Sequence, residues 1–114
     1  MIAFRGFLLV AIVAILAYTI PVGLNHGWNF MATALADLAV MDWRGQFDID
    51  FLFLLSLAGI WLAWRHEFSA AGLFLGVFTF FGGMPFLSVY LLYAISKNGG
   101  DMRKVLLGER RAAA

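Results

Sequence analysis

The sequence predicts an all-α polytopic membrane protein: three transmembrane helices plus an amphipathic helix lying in the interface. Three observations carry this. First, 63% of the 114 residues are hydrophobic and 13% are charged, whereas a soluble domain carries about 25% charge. A soluble chain of this length has too little interior to hide so much apolar surface, and lipid accepts it. Second, the run 68–96 holds no Asp, Glu, Lys, Arg or His. At about 1.5 Å per residue it exceeds the roughly 20 residues needed to cross a bilayer. Third, another apolar run, 51–64, ends just before it, with only Arg65, His66 and Glu67 between. So short a join makes the two helices antiparallel neighbours.

Composition also excludes. The formal net charge is +1, which gives no bulk attraction to nucleic acid. There is no cysteine, so disulfides, thiolate metal sites and thiol catalysis are ruled out. No internal repeat or low-complexity linker is evident, and a single domain over 1–114 is expected.

The first span is expected over about 6–24. Arg5 precedes it, and no charge interrupts it. A secretory signal peptide is the rival. The apolar stretch is long for a signal core, however, and Ala17-Tyr18-Thr19-Ile20-Pro21 offers no A-x-A cleavage site, so an uncleaved helix is expected. Pro21 sits near the exit, where a lost backbone bond costs little. Gly23, Asn25 and Gly27 should then break the helix.

Trp28, Met31, Leu35 and Leu38 recur at helical spacing. A helix over 28–41 reaches only about 21 Å, short of a core about 30 Å thick. Burying Asp37 at mid-membrane costs about 2.5–3.5 kcal/mol. An interfacial helix avoids both penalties, with Trp28 and Trp43 as anchors; a fourth transmembrane helix is the alternative. The polar stretch Asp42 to Asp50 reads as a turn. There Asp48 is expected to cap the next helix and Asp50 to sit in its first turn, facing the positive helix end. Asp37, Asp42, Arg44, Asp48 and Asp50 form a possible polar cluster. It lacks EF-hand spacing, so no metal site is assigned.

The hairpin is expected over about 49–64 and 69–96. Ser56, Gly59 and Ala63 share one face of its first helix, and Gly72, Gly76, Thr79 and Gly83 one face of its second, which includes a GxxxG. Small residues permit the close backbone approach that helix association in lipid needs. These faces are expected to meet inside the hairpin, with homodimerisation through the GxxxG as the alternative. Gly82-Gly83-Met84-Pro85 interrupts the long run, and Pro85 predicts a passive kink near Phe81. Trp61, Trp64 and Phe68 are expected to anchor one end, and Tyr90 and Tyr93 the other. Arg65 and Glu67 should stay solvated. The basic tail, 97–114, carries a short helix that Asp101 can cap, with Met102, Val105 and Leu106 beside cations, a pattern suited to an anionic leaflet.

Asn25-His26-Gly27-Trp28-Asn29, then Trp43-Arg44-Gly45-Gln46-Phe47 with Asp50, are followed by Trp61, Trp64-Arg65-His66-Glu67, Gly82-Gly83 and Tyr90-Leu91-Leu92. In this order they resemble an uncharacterised class of small bacterial membrane proteins with three spanning helices, a "domain of unknown function" group. The resemblance implies architecture only, and no activity; the expected location is a bacterial inner membrane.

No acid–base pair, nucleophile triad or phosphate loop is legible. The expectation is therefore a non-enzymatic accessory subunit or scaffold, without cofactor, whose partners are the bilayer and other membrane proteins or further copies of itself. An oligomeric transporter or channel component is the alternative. A redox subunit with haem on His26 and His66, or with quinone, is the second alternative. With three spans, Arg44 and the tail cations share one side, and Arg5 and Arg65 the other. Cation excess then places the tail in the cytoplasm and the amino-terminal end outside.

Overall fold

The computed structural model describes residues 2–113, all its regular elements being helices: α1 (Ile2–His26), α2 (Phe30–Val40), α3 (Trp43–Arg65), α4 (Ala70–Lys97), α5 (Met102–Leu107) and α6 (Glu109–Ala113). Three of them, α1, α3 and α4, are long and apolar enough to cross a membrane, and α2 is a shorter apolar helix. The all-helical class read from the sequence, three long apolar helices plus a shorter one, therefore stands by length and composition.

α1 runs through Pro21, Gly23 and Asn25 to His26, and Gly27, the last of the expected breakers, ends it at a φ of 87°. The indole of Trp28 then folds back over Gly23, where a Cβ has no room. Asn29 caps α2 by accepting from the Ala32 N–H, and Met41 closes it in the left-handed region. The structure moves the start of α3. Asp42, not Asp48, is its cap: the Asp42 carboxylate accepts from the N–H groups of Arg44 and Gly45. Those two backbone bonds, Gly45 first, and the adjacent Arg44 guanidinium hold the Asp42 carboxyl below its ordinary range. Asp48 and Asp50 consequently lie inside the helix. Gly45 explains the choice, since it packs on the Asp37 carbonyl and Leu38, an approach that a side chain there blocks. α2 is thereby fastened across the beginning of α3.

Between α3 and α4, Glu67 and Phe68 take positive φ and return their N–H groups to Trp64 and Ala63. Ser69 caps α4 through the Gly72 N–H. The first part of α4 then descends along α3. Gly59 and Gly76 meet backbone to backbone: a Cβ on Gly76 falls 2.7 Å from the Gly59 carbonyl oxygen, and one on Gly59 falls 2.8 Å from that of Gly76. Ala63 lies against both Gly72 and Gly76. The Ser56 and Thr79 hydroxyls donate to Leu52 and Leu75 within their own helices, which satisfies them without a cross-helix partner.

At Gly83 the chain reverses. Its φ of 67° and ψ of −150° interrupt α4 in a region open essentially to glycine alone. The second arm, 84–97, folds back beside the first, 70–82. Phe78 stacks on Phe86 with ring centroids 6.0 Å apart, and the Tyr90 hydroxyl reaches the His66 ring. Each arm is about 20 Å long. The sequence expectation of a passive kink is thus corrected to a sharp return. Leu55 and Phe51 of α3 close over the elbow.

The return sets the polarity of the whole molecule. The second arm runs antiparallel to α1, so that Leu8 joins Ala94, Ile95 and Val105 in one buried cluster, with Phe4 and Met102 against it. The amino-terminal end of α1, the turn 66–69 and the tail therefore share one end, here the basic end. The far end holds His26, α2 and the start of α3. Two further expectations change with this. Tyr90 lies at the same end as Trp61, at 6.4 Å between ring centroids, rather than opposite it. Arg5 and Arg65 share the basic end with Lys97, Arg103, Lys104, Arg110 and Arg111. Asp37, Asp42, Asp48 and Asp50 lie away from the tail and do not pair with it.

Candidate functional site

Polar chemistry concentrates where the tail crosses the basic end. Arg65, expected to be solvated, is half-buried and organises that crossing. Its Nε donates to the Val105 carbonyl, Nη2 to that of Lys104 and Nη1 to the Tyr90 hydroxyl at 2.7 Å. The Trp61 indole N–H donates to the Leu106 carbonyl at 3.1 Å. The Val105 and Leu106 carbonyls stand at the end of α5, where intrahelical donors run out, and the Lys104 carbonyl also accepts from the Gly108 N–H; two side chains of α3 thus cap α5. The tail reciprocates. Arg111 donates to the Trp64 carbonyl and lies over the Trp64 ring, 4.0 Å from its centre. Arg110 pairs with both oxygens of Glu67, which is therefore not merely solvated.

Tyr90 links Arg65 to His66. Its hydroxyl accepts from Arg65 and stands 2.6 Å from His66 Nε2. The guanidinium already donates to the hydroxyl, and its charge disfavours a second, protonated ring N–H beside it, so the hydroxyl donates its proton to an unprotonated Nε2. Burial first, then the charges of Arg65 and Lys97, push the His66 pKa below its ordinary value, in agreement with that polarity. A protonated ring points an N–H at the hydroxyl, with Arg65 Nη1 only 3.5 Å away.

The sign of the pH effect follows. A histidine with a lowered folded pKa contributes stability that is complete above its unfolded value, about 6.5, and is lost as pH falls through the folded one. The melting temperature in detergent is expected to fall between pH 7.5 and 5.5. In His66→Gln, whose amide oxygen can accept from Tyr90 at any pH, most of that fall should disappear. An unchanged pH profile in the variant refutes the chain of bonds.

These residues border a cavity of about 680 Å³ between the two arms of α4 and the tail. Leu75, Phe86 and Val89 supply apolar lining, and Lys97, Arg110 and Arg111 cationic lining. Lys97 Nζ rests over the Tyr93 ring at 6.0 Å. Asn98 donates to the Ala94 carbonyl at 2.8 Å, while its Oδ1 is buried without a donor.

The residues singled out from sequence are distributed as follows. Ser56, Gly59, Ala63, Gly72, Gly76 and Thr79 lie along the contact of α3 with the first arm, and Gly82, Gly83 and Pro85 form the elbow. Trp61, Trp64, Tyr90 and Tyr93 surround the basic end. Trp28 and Trp43 are exposed at the far end. The Asp37 and Asp48 carboxyls meet there, Asp42 pairs with Arg44 at 3.1 Å, and Asp50 stands exposed. Among the described residues no group of three or more such side chains is gathered to hold a metal ion. His26 and His66 lie at opposite ends of the molecule, so they do not share an iron. The sequence reading missed Arg65 as the organising side chain. Its signal was a cation standing alone between two apolar runs, which is equally the signature of a solvated turn.

Comparisons with protein-family models, curated proteins and solved structures give no match.

Proposed function

We propose that the chain is a small integral protein of the bacterial inner membrane, a non-enzymatic accessory subunit or scaffold, with the basic end in the cytoplasm. The observation that carries the association reading is the bareness of half of α1. Because α4 turns back at Gly83, the second arm accompanies α1 only as far as Ile15. From Leu16 to His26 every residue except Gly23 is exposed, and Gly23 is covered only by Trp28. A stretch of helix without neighbours, in the half of the molecule that α4 does not enter, fits a helix of another membrane protein or of a second copy. Orientation rests on charge. Every Lys and Arg except Arg44 lies at the basic end, and such an excess marks the cytoplasmic side. The resemblance to small bacterial membrane proteins agrees with this reading.

The absence of cysteine makes the test clean, because an introduced thiol is the only one. An impermeant maleimide added to intact cells is expected to label Gly27→Cys, and to label Ala113→Cys only after permeabilisation. The reverse pattern overturns the orientation. A photo-reactive residue at Tyr18 should give a discrete protein adduct in native membranes, which co-purifies in mild detergent, whereas one at the exposed Phe74 should not. Lipid adducts alone at Tyr18 overturn the subunit assignment.

A second reading, as an oligomeric transporter or channel component, is favoured by one feature. α4 is discontinuous part-way along, and broken helices of this kind line pathways in many transporters. Solute or ion flux in liposomes carrying the purified protein is the observation that moves the assignment there.

A further inference from the structure

We propose that the cavity between the arms of α4 is a binding site for one anionic phospholipid, its phosphate held by Lys97, Arg110 and Arg111 and its acyl chains leaving between the arms. The charge of the lining is unbalanced: Arg65, Lys97, Arg110 and Arg111 face only Glu67 and Glu109. The cations divide by what they are free to do. Arg65 spends all three of its nitrogens on Tyr90 and the tail carbonyls, so it builds the site. Among the described residues Lys97 has no carboxylate partner, and its Nζ lies on the Tyr93 face. Arg110 engages Glu67 through Nη1 alone, and Arg111 bonds the Trp64 carbonyl through Nη1 alone. Both retain donors in the fork geometry that matches phosphate oxygens.

The walls point to an amphiphile rather than to free phosphate. Beside the cations the lining includes Leu75, Phe86 and Val89, which contribute nothing to a bare anion and much to a hydrocarbon chain. On the open side, Val89 and Tyr93 are 57% and 62% exposed, so a chain can pass out into the bilayer. The tryptophans and tyrosines clustered at the same end suit the headgroup level, where an apolar ring body and a polar tip are both satisfied. Basic pockets between helices near the cytoplasmic surface recognise acidic headgroups by these means. The electrostatic part of the site holds in either orientation, because it depends on the residues and not on which leaflet they meet.

The test uses the full chain in a neutral detergent, delipidated and then offered phosphatidylglycerol, phosphatidylcholine with the same acyl chains, or inorganic phosphate. Phosphatidylglycerol is expected to remain bound in native mass spectrometry and to raise the melting temperature. Phosphatidylcholine and inorganic phosphate are expected to do neither. Lys97→Gln and Arg110→Gln should each weaken phosphatidylglycerol binding roughly fivefold, the effect of one cation near a charged surface, and raised salt should weaken it further. Val89→Trp, at an exposed position that blocks the open side, should abolish retention while leaving the lipid-free melting temperature unchanged. Equal retention of the two lipids overturns the proposal. So does stabilisation by inorganic phosphate equal to that by phosphatidylglycerol, or full phosphatidylglycerol affinity in Lys97→Gln, which breaks no ion pair.

Discussion

Gly76→Leu is expected to open the contact between α3 and the first arm of α4 and to lower stability by about 3 kcal/mol, the upper part of the usual range for overpacking. A single Cβ at this position already falls 2.7 Å from the Gly59 carbonyl oxygen. The opposing atom is backbone, not the end of a flexible side chain, so the helices themselves must move apart. Separation also costs the dispersion contacts along the seam, which lipid chains replace only in part. Thermal unfolding in detergent reads the effect. Gly76→Ala should fall between parent and Leu variant. Val77→Leu, one residue on and exposed, should be close to neutral. Equal stability of Gly76→Leu and the parent shows that the seam does not hold the hairpin.

The second large effect is expected at Gly83. Alanine there must adopt a φ of 67° with a ψ of −150°, a conformation that costs a residue with a side chain on the order of 1–3 kcal/mol. Space is not the obstacle, since the nearest atoms to an added Cβ, on Leu55 and Phe51, are 3.9 Å away. Backbone conformation alone carries the penalty. Relief comes from straightening α4 into one helix of about 42 Å, which carries Tyr90, Lys97 and the tail away from Arg65. Gly83→Ala should therefore speed amide hydrogen exchange over 101–111 as well as lower the melting temperature. Rapid exchange confined to the elbow, with the tail still protected, shows that the return survives the substitution.

The long helices were legible because lipid imposes a simple rule: enough apolar residues without charge. The details that decide the site obey no such rule. Asp42 and Asp48 are both acceptable helix caps by local chemistry, and the choice falls to Gly45 docking on the backbone of α2, a contact between elements. Gly82-Gly83-Met84-Pro85 announced an interruption, but proline explains only a bend. A full return depends on the left-handed backbone of Gly83 and on bonds that Tyr90 makes with residues over twenty positions earlier. A straight rod sets the two tyrosines and the tail opposite Arg65 and the amino-terminal end of α1, whereas the return at Gly83 brings all of them to one end. Arg65 was hidden for a related reason. Its partners are carbonyl groups of the tail, and main-chain acceptors leave no mark on a sequence.

The elbow at Gly83 also gives the molecule unequal cross-sections. On the side of the basic end, α1, α3 and both arms of α4 lie side by side; beyond the elbow only α1 and α3 continue, with α2 across the start of α3. Four helix sections against two make a wedge, displacing more lipid area from one monolayer than from the other. A bilayer relaxes around such a shape by bending so that the more crowded monolayer is the expanded one. Set across a bilayer, the glycine that reverses the chain is thus expected to make the protein sensitive to membrane curvature, which sorting between small and large vesicles measures.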